Sequence, residues 1–220
     1  MRAKTTALLL SAVLSGATLL SGCVPILIGG AVGTTALVST DRRTTGAQMA
    51  DEVMEKRVNY EITQAITENI HLTVTSYNRR ILLTGEVGSE QDKLRAQQIA
   101  QSSLEVSSVV NELMVGPVAS VTQRMSDSTL ATKVRTQLVG TSGVSMNQMK
   151  VVVDRGIVYL MGLVTQEEAD KAANVASRVS DVKSVVKVFE ILTPSQVSER
   201  MKLLSSPTQS SQSSDTVQLQ

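Results

Sequence analysis

Two stretches of this chain are copies of one another. Ile81-Leu82-Leu83-Thr84-Gly85-Glu86-Val87 aligns with Val158-Tyr159-Leu160-Met161-Gly162-Leu163-Val164. Upstream, Val74-Thr75-Ser76 aligns with Val151-Val152-Val153. Downstream, Gln98-Ile99-Ala100 aligns with Asn174-Val175-Ala176, and Ser108-Val109-Val110-Asn111 with Ser184-Val185-Val186-Lys187. The offset is 77 through the strands and 76 in the following helix, and one residue near Gly88 accounts for the difference. Self-similarity at a fixed period marks a repeated structural unit, so the chain must fold the same way twice.

Each copy reads as helix, strand, strand, helix, strand. The first helix of copy one carries Met54, Val58, Ile62 and Ile66 at i, i+4 spacing, and that of copy two carries Leu130, Val134 and Leu138. Each set is a single apolar stripe. The copy-two hairpin turns at Asp154-Arg155-Gly156, where glycine permits positive φ. Copy one turns at Asn78-Arg79-Arg80 without a glycine, and Asn78 is the candidate for the left-handed position. The second helix opens at Ser89-Glu90-Gln91-Asp92 in copy one and at Thr165-Gln166-Glu167-Glu168 in copy two; the latter is a capping box, the former a looser version. Small residues on these helices (Ala96, Ala100, Ala172, Ala173 and Ala176) allow close approach to a sheet. The last strands span Val109 to Val115 and Val185 to Leu192. Gly85 and Gly162 sit at equivalent places late in a strand and are assigned structural roles, since glycine there marks a bulge or close backbone approach. The expected fold is α+β: two tandem units, each a small three-stranded sheet with two helices packed on it in the order α-β-β-α-β. The boundaries are 46–116 and 124–193, joined by a linker over 117–123.

The ends of the chain read differently. Arg2 and Lys4 precede an apolar run from Ala7 to Leu20, and Leu20-Ser21-Gly22-Cys23 closes it. The run suits the core of a signal peptide and is short for a membrane span. Residues 1–22 are therefore read as a lipoprotein signal peptide, with Cys23 acylated as the first mature residue. Cys23 is the one cysteine, so no intramolecular disulfide can form in an oxidising compartment, and acylation accounts for its presence. One acyl chain anchors weakly and two or more anchor well. Residue 24 is valine, not the aspartate that retains lipoproteins in an inner membrane, so the expected location is the outer membrane, facing the periplasm. Residues 23–45 read as an apolar, Gly-rich tether, and 194–220 as a Ser/Gln-rich disordered tail with a short helical turn over Ser195 to Met201.

Catalysis finds little support. His71 is the one histidine and reads as a loop or strand-edge residue; no His/Cys/carboxylate cluster has metal-ligand spacing. No nucleophile elbow is present. The expectation is no enzyme, no metal, no cofactor and no small-molecule substrate. A net charge of +1, close to neutral once the signal peptide is removed, implies no general pull toward nucleic acid.

The repeated unit resembles the BON domain. The features that carry the resemblance are the strands ending Leu-Leu-Thr-Gly-Glu-Val and Tyr-Leu-Met-Gly-Leu-Val, the capped alanine-rich helix, and Val106-Ser107-Ser108-Val109-Val110-Asn111. Copy two has Lys187 where the family often has asparagine. Together with Leu20-Ser21-Gly22-Cys23, the chain is similar to dual-BON outer-membrane lipoproteins. That resemblance implies binding of anionic phospholipids through the second domain, support of envelope integrity, and a role at division sites. It places lipid contact near the start of the copy-two helix, at Arg124, Met125, Leu130, Lys133, Arg135 and Gln137. Basic side chains there can pair with headgroups while apolar groups dip inward. A dual-domain member of the family carries a tryptophan where this chain has Leu130, and leucine lacks the polar edge that suits an interface. A blander reading stands beside it: Leu130 aligns with Met54, a core position, and Lys133 and Arg135 are a solvated face. A second functional reading also stands, in which the domains dock onto outer-membrane assembly proteins and lipid contact is incidental.

Overall fold

The computed structural model describes residues 41–205, all within one unit spanning Val38–Gln220. The signal peptide over 1–22, Cys23, the tether up to residue 40 and the tail from residue 206 lie outside the described residues. In chain order the elements are α1 (Thr45–Ala65), β1 (His71–Tyr77), β2 (Arg80–Val87), α2 (Glu90–Ser102), β3 (Ser108–Asn111) and β4 (Met114–Val115), then α3 (Val121–Val139), β5 (Met149–Asp154), β6 (Ile157–Val164), α4 (Gln166–Ser177), β7 (Ser184–Ile191) and α5 (Pro194–Ser205), with a short 3-10 turn at Met146–Gln148.

In each copy an antiparallel hairpin (β1–β2, β5–β6) is extended by a strand parallel to its second member. The helices cover one face. Met54, Val58 and Ile62 of α1 meet Ile81, Leu83 and Val87 of β2 and Ala96 and Ala100 of α2. Leu130, Val134 and Leu138 of α3 meet Val158, Leu160 and Val164 of β6 and Ala172 and Ala176 of α4. The alanines let the second helix lie close to the sheet.

Both hairpins turn with two residues in the left-handed region: Asn78 (φ 52) and Arg79 (φ 66), then Arg155 (φ 50) and Gly156 (φ 79). This is the turn whose twist matches a right-twisted ribbon. Two of the four are arginines, which adopt that region at a cost. The offset comes from the first helix of each copy. Asp51 accepts from the amides of Asn78 and Arg79 at 2.8 and 2.9 Å, and Asp127 from those of Arg155 and Gly156 at 2.9 Å each. Helix starts follow the caps. Ser89 accepts from the Asp92 amide, whereas Thr165 and Glu168 complete a reciprocal box. Gly85 (φ +115) and Gly162 lie where a Cβ would run into the backbone carbonyl oxygens of His71 in β1 and of Gln148 just before β5.

Three boundaries differ from the sequence reading. The last strand of copy one, expected to run from Val109 to Val115, is split into β3 and β4. The Asn111 side chain donates to the Lys93 carbonyl at 2.9 Å and accepts from the Leu113 amide at 3.2 Å, drawing the chain off the ladder while Leu113 turns into the core. The linker over 117–123 ends in helix, because Ser120 caps α3 through the Gln123 amide. The segment from 194, expected to hold only a short helical turn over Ser195 to Met201 ahead of disorder, begins with the longer helix α5. Thr193 accepts from the Gln196 amide, Gln196 accepts from the Thr193 amide, and Pro194 takes the first helical position, where its missing N–H costs nothing.

The two copies pack through the sheet faces opposite their helices. Tyr77 and Leu82 meet Tyr159, Met161, Leu163, Val188 and Leu192 in a third apolar cluster. Polar contacts ring it. Arg155 donates to Glu86 at 2.6 Å and to the Pro117 carbonyl at 2.7 Å, Lys150 reaches Glu55 at 2.7 Å, and Asn78 donates to Glu190 at 2.8 Å. Ahead of α1, Arg42 makes a bidentate pair with Glu168 at 2.7 and 2.8 Å, and Arg43 stacks 3.7 Å over the Tyr77 ring. The segment that enters copy one is thereby fastened to copy two.

Candidate functional site

The outer face of α3 and the C-terminal end of α4 enclose a groove of about 870 Å³ lined by Ser128, Thr129, Thr132, Lys133, Thr136, Gln137, Val175, Arg178 and Val179. It continues past Thr129 and Lys133 into a second hollow of about 540 Å³ bounded by Met125, Asp181 and Lys183. The apolar stripe of α3 faces inward, so the opposite side of the helix is left to form the wall. Thr129, Thr132, Thr136 and Thr141 all donate their hydroxyls to the carbonyl four residues back. They therefore offer methyl groups and lone pairs outward, and no free donors. Donors for an anion come from Gln137, Lys133, Arg178 and Lys183. Lys133 pairs with Asp181 at 3.0 Å, but both side chains are well exposed. A pair of that kind is worth under about 1 kcal/mol and exchanges readily for another anion. Arg178 has no acidic partner among the described residues.

The structure separates the residues grouped by sequence. Met125, Lys133 and Gln137 share the groove and its extension. Leu130 borders the second hollow beside Met125 but faces mainly inward. It is 5% exposed, inside the core with Val134 and Leu138, and cannot enter a bilayer without vacating that core. Its position on the i, i+4 stripe dictates this. Arg124 and Arg135 lie on another flank of α3, beside the cleft between the copies. Arg135 donates to the Val151 carbonyl at 2.8 Å and so covers the edge of β5. Arg178 and Lys183 were not singled out by sequence. Their signal lies in comparing the copies, because their equivalents at an offset of 76 are Ser102 and Ser107.

The acidic groups Asp51 and Glu168 are committed to structure. Burial raises the pKa of Asp51, yet bonds from the Arg79 amide, the Ser76 hydroxyl, the Asn78 amide and Arg43 outweigh it and hold the carboxyl below its ordinary value. Burial likewise works against Glu168, and the Arg42 guanidinium with the Thr165 amide overcomes it. Asp154 goes the other way: burial first, then the charge of Glu86, push it up, opposed by the Gly85 amide. Among the described residues no group of three His, Cys, Asp or Glu side chains could hold a metal ion, and no helix is long and apolar enough to cross a membrane.

The BON domain profile matches residues 50–117 and 126–193. The chain is 40% identical over 184 residues to the outer membrane lipoprotein DolP of Haemophilus influenzae, covering 82% of this chain and 95% of that protein. It is 33% identical over 151 residues to the 21 kDa hemolysin of Actinobacillus pleuropneumoniae, covering 68% of this chain and 78% of that protein. It is 26% identical over 180 residues to the osmotically-inducible protein Y of Escherichia coli, covering 73% and 90% respectively. With two matched domains and a lipoprotein relative aligned over nearly its whole length, the chain belongs to the BON domain family, as a dual-domain lipoprotein of the outer membrane.

Proposed function

We propose that the protein is a non-enzymatic lipoprotein, anchored by acyl chains on Cys23, whose second BON domain binds anionic phospholipid in the groove between α3 and α4 and so supports outer-membrane integrity. One observation carries this reading. The groove joins an exposed apolar side chain, Met125, to Lys133, Arg178, Lys183 and the Gln137 amide. The repeat supplies an internal comparison. Where copy two has Gln137, Arg178 and Lys183, copy one has Glu61, Ser102 and Ser107. The same fold thus presents cations in copy two alone, apart from Lys133 and its counterpart Arg57.

Each Lys or Arg near an anionic surface contributes on the order of 1 kcal/mol. Three give weak, salt-sensitive binding, made useful by the acyl anchor, which holds the groove at high effective concentration beside the lipid. The mature chain carrying Cys23→Ser, which lacks the acyl anchor, should co-sediment with phosphatidylglycerol vesicles and not with phosphatidylcholine vesicles, and the binding should fall as salt rises. Arg178→Glu together with Lys183→Glu should abolish it without changing the melting temperature. Unchanged sedimentation of that variant would reject the groove. Leu130→Glu is no test, because it would disrupt the core. Cys23→Ser should move the protein from the membrane fraction to the soluble fraction.

A further inference from the structure

We propose that the outer edge of β7 accepts an extended peptide from a protein partner as an added strand. β7 pairs with β6 over its eight residues, Ser184–Ile191, and among the described residues no strand pairs with its other side. Long unpaired edges template pairing with other chains, and folded proteins ordinarily blunt them. The other edges here are blunted. At β1, the Ser76 amide is taken by Glu55 at 2.8 Å. At β5, the Val151 carbonyl is taken by Arg135. In copy one, the strand equivalent to β7 is broken by the Asn111 side chain. Copy two has Lys187 at that position. A lysine cannot accept from the backbone, its amine is drawn aside to Asp170 at 3.0 Å, and the strand runs unbroken.

Beside this edge lies a hollow of about 120 Å³ lined by Gln166, Ala169, Lys187, Phe189 and Ile191, with Ile191 47% exposed. In strand addition, main-chain hydrogen bonds supply affinity and such hollows supply specificity. The partner segment is therefore extended, seats one small aliphatic side chain over Phe189 and Ile191, and carries an acidic residue toward Lys187. The Lys187–Asp170 pair is half-exposed and yields easily. The inference is independent of the lipid reading, because β7 does not line the groove.

The test uses the full mature protein and the synthetic peptide acetyl-Glu-Val-Thr-Val-Thr-Val-Glu-amide, followed by hydrogen–deuterium exchange. Alternate amides of β7 should slow by about tenfold or more at saturating peptide, while those of β1 and β5 stay unchanged. A peptide with proline at its central position should give no protection. Ile191→Asp and, separately, Lys187→Asn should each weaken peptide binding about tenfold, a change of about 1.4 kcal/mol, with vesicle binding and melting temperature retained. Equal protection of all edges, no protection, or full binding by Ile191→Asp would overturn the proposal. So would β7 amides already protected without peptide but exposed in a chain ending at Ser205, since the protein's own C-terminal residues would then be the occupant.

Discussion

Replacing Glu86 with leucine tests whether the two domains act as one folding unit. Glu86 has no exposed surface and sits in β2 of the first copy. Its carboxylate accepts from Arg155 Nε at 2.6 Å and from the Ala119 amide at 3.1 Å, and lies 3.4 Å from His71 Nδ1. The substitution strands a buried amide and an arginine from the other copy. Breaking a buried pair by removing one partner costs about 3–5 kcal/mol. Arg155 is 28% exposed and keeps its bond to the Pro117 carbonyl, so solvent recovers part of this and about 2–3 kcal/mol should remain. For a unit of this size the melting temperature should fall by about 5–10 °C. Urea denaturation of Glu86→Leu, Arg155→Leu and the double variant gives the coupling directly. The two effects should fail to add by about 1 kcal/mol or more, whereas independent sites add to within about 0.5 kcal/mol. Additive effects, or a single variant as stable as the parent, would refute the view that this contact ties the copies together.

Three further outcomes follow from the same geometry. Asp51→Asn should destabilise the fold at neutral pH, because the carboxylate holds the hairpin amides; its folded-state pKa lies below the ordinary 3.8, so its contribution is present above 3.8 and lost as pH falls through the lower value, and denaturation curves of variant and parent should converge in acid. Asp154→Asn should do the opposite: its folded-state pKa is raised, so ionisation costs stability as pH rises from 3.8 through the folded value, and the variant should be the more stable at neutral pH and equal to the parent below 3.8. Gly162→Ala should lose about 1–3 kcal/mol in chemical denaturation from steric displacement alone, and Gly85→Ala should lose more, because its φ of +115 adds backbone strain.

What the sequence made legible is what depends on neighbours along the chain. The stripe of α1, the glycine of the second turn and the Thr165–Glu168 box are local patterns, and each is found where its spacing put it. Thr193-Pro194-Ser195-Gln196 carried an equally local signature for α5, whose turn over Ser195 to Met201 was expected but whose full length the polar composition concealed. The packing between copies had a quieter trace. Val158-Tyr159-Leu160-Met161-Gly162-Leu163-Val164 contains no charged side chain and only the Tyr159 hydroxyl as a polar group, and a strand of that kind is buried on both faces. A single domain with helices on one face of its sheet leaves the second face in water, so an unbroken apolar strand already demanded another layer.

The candidate site was less legible, and Leu130 and Arg178 explain why. Leu130 belongs to a stripe whose period places it in the core, while its edge borders the second hollow, so the resemblance and the period each described part of its surroundings. Arg178 stands 45 positions beyond Lys133, on a helix whose inner face is read easily from its alanines but whose end meets α3 only through tertiary packing. No spacing rule joins those two residues. Subtraction of one copy from the other does, because residues that serve the fold recur at the 76-residue offset and residues that serve one copy alone do not. Asp51 and Asp127 recur and hold hairpins; Arg178, Lys183 and Lys187 do not recur, and they lie at the groove and at the open strand edge. Reverting Arg178 and Lys183 to serine should therefore leave stability within about 0.5 kcal/mol of the parent while vesicle binding is lost, because exposed substitutions away from packed features rarely cost more. A large fall in stability would mean that these cations serve the fold after all.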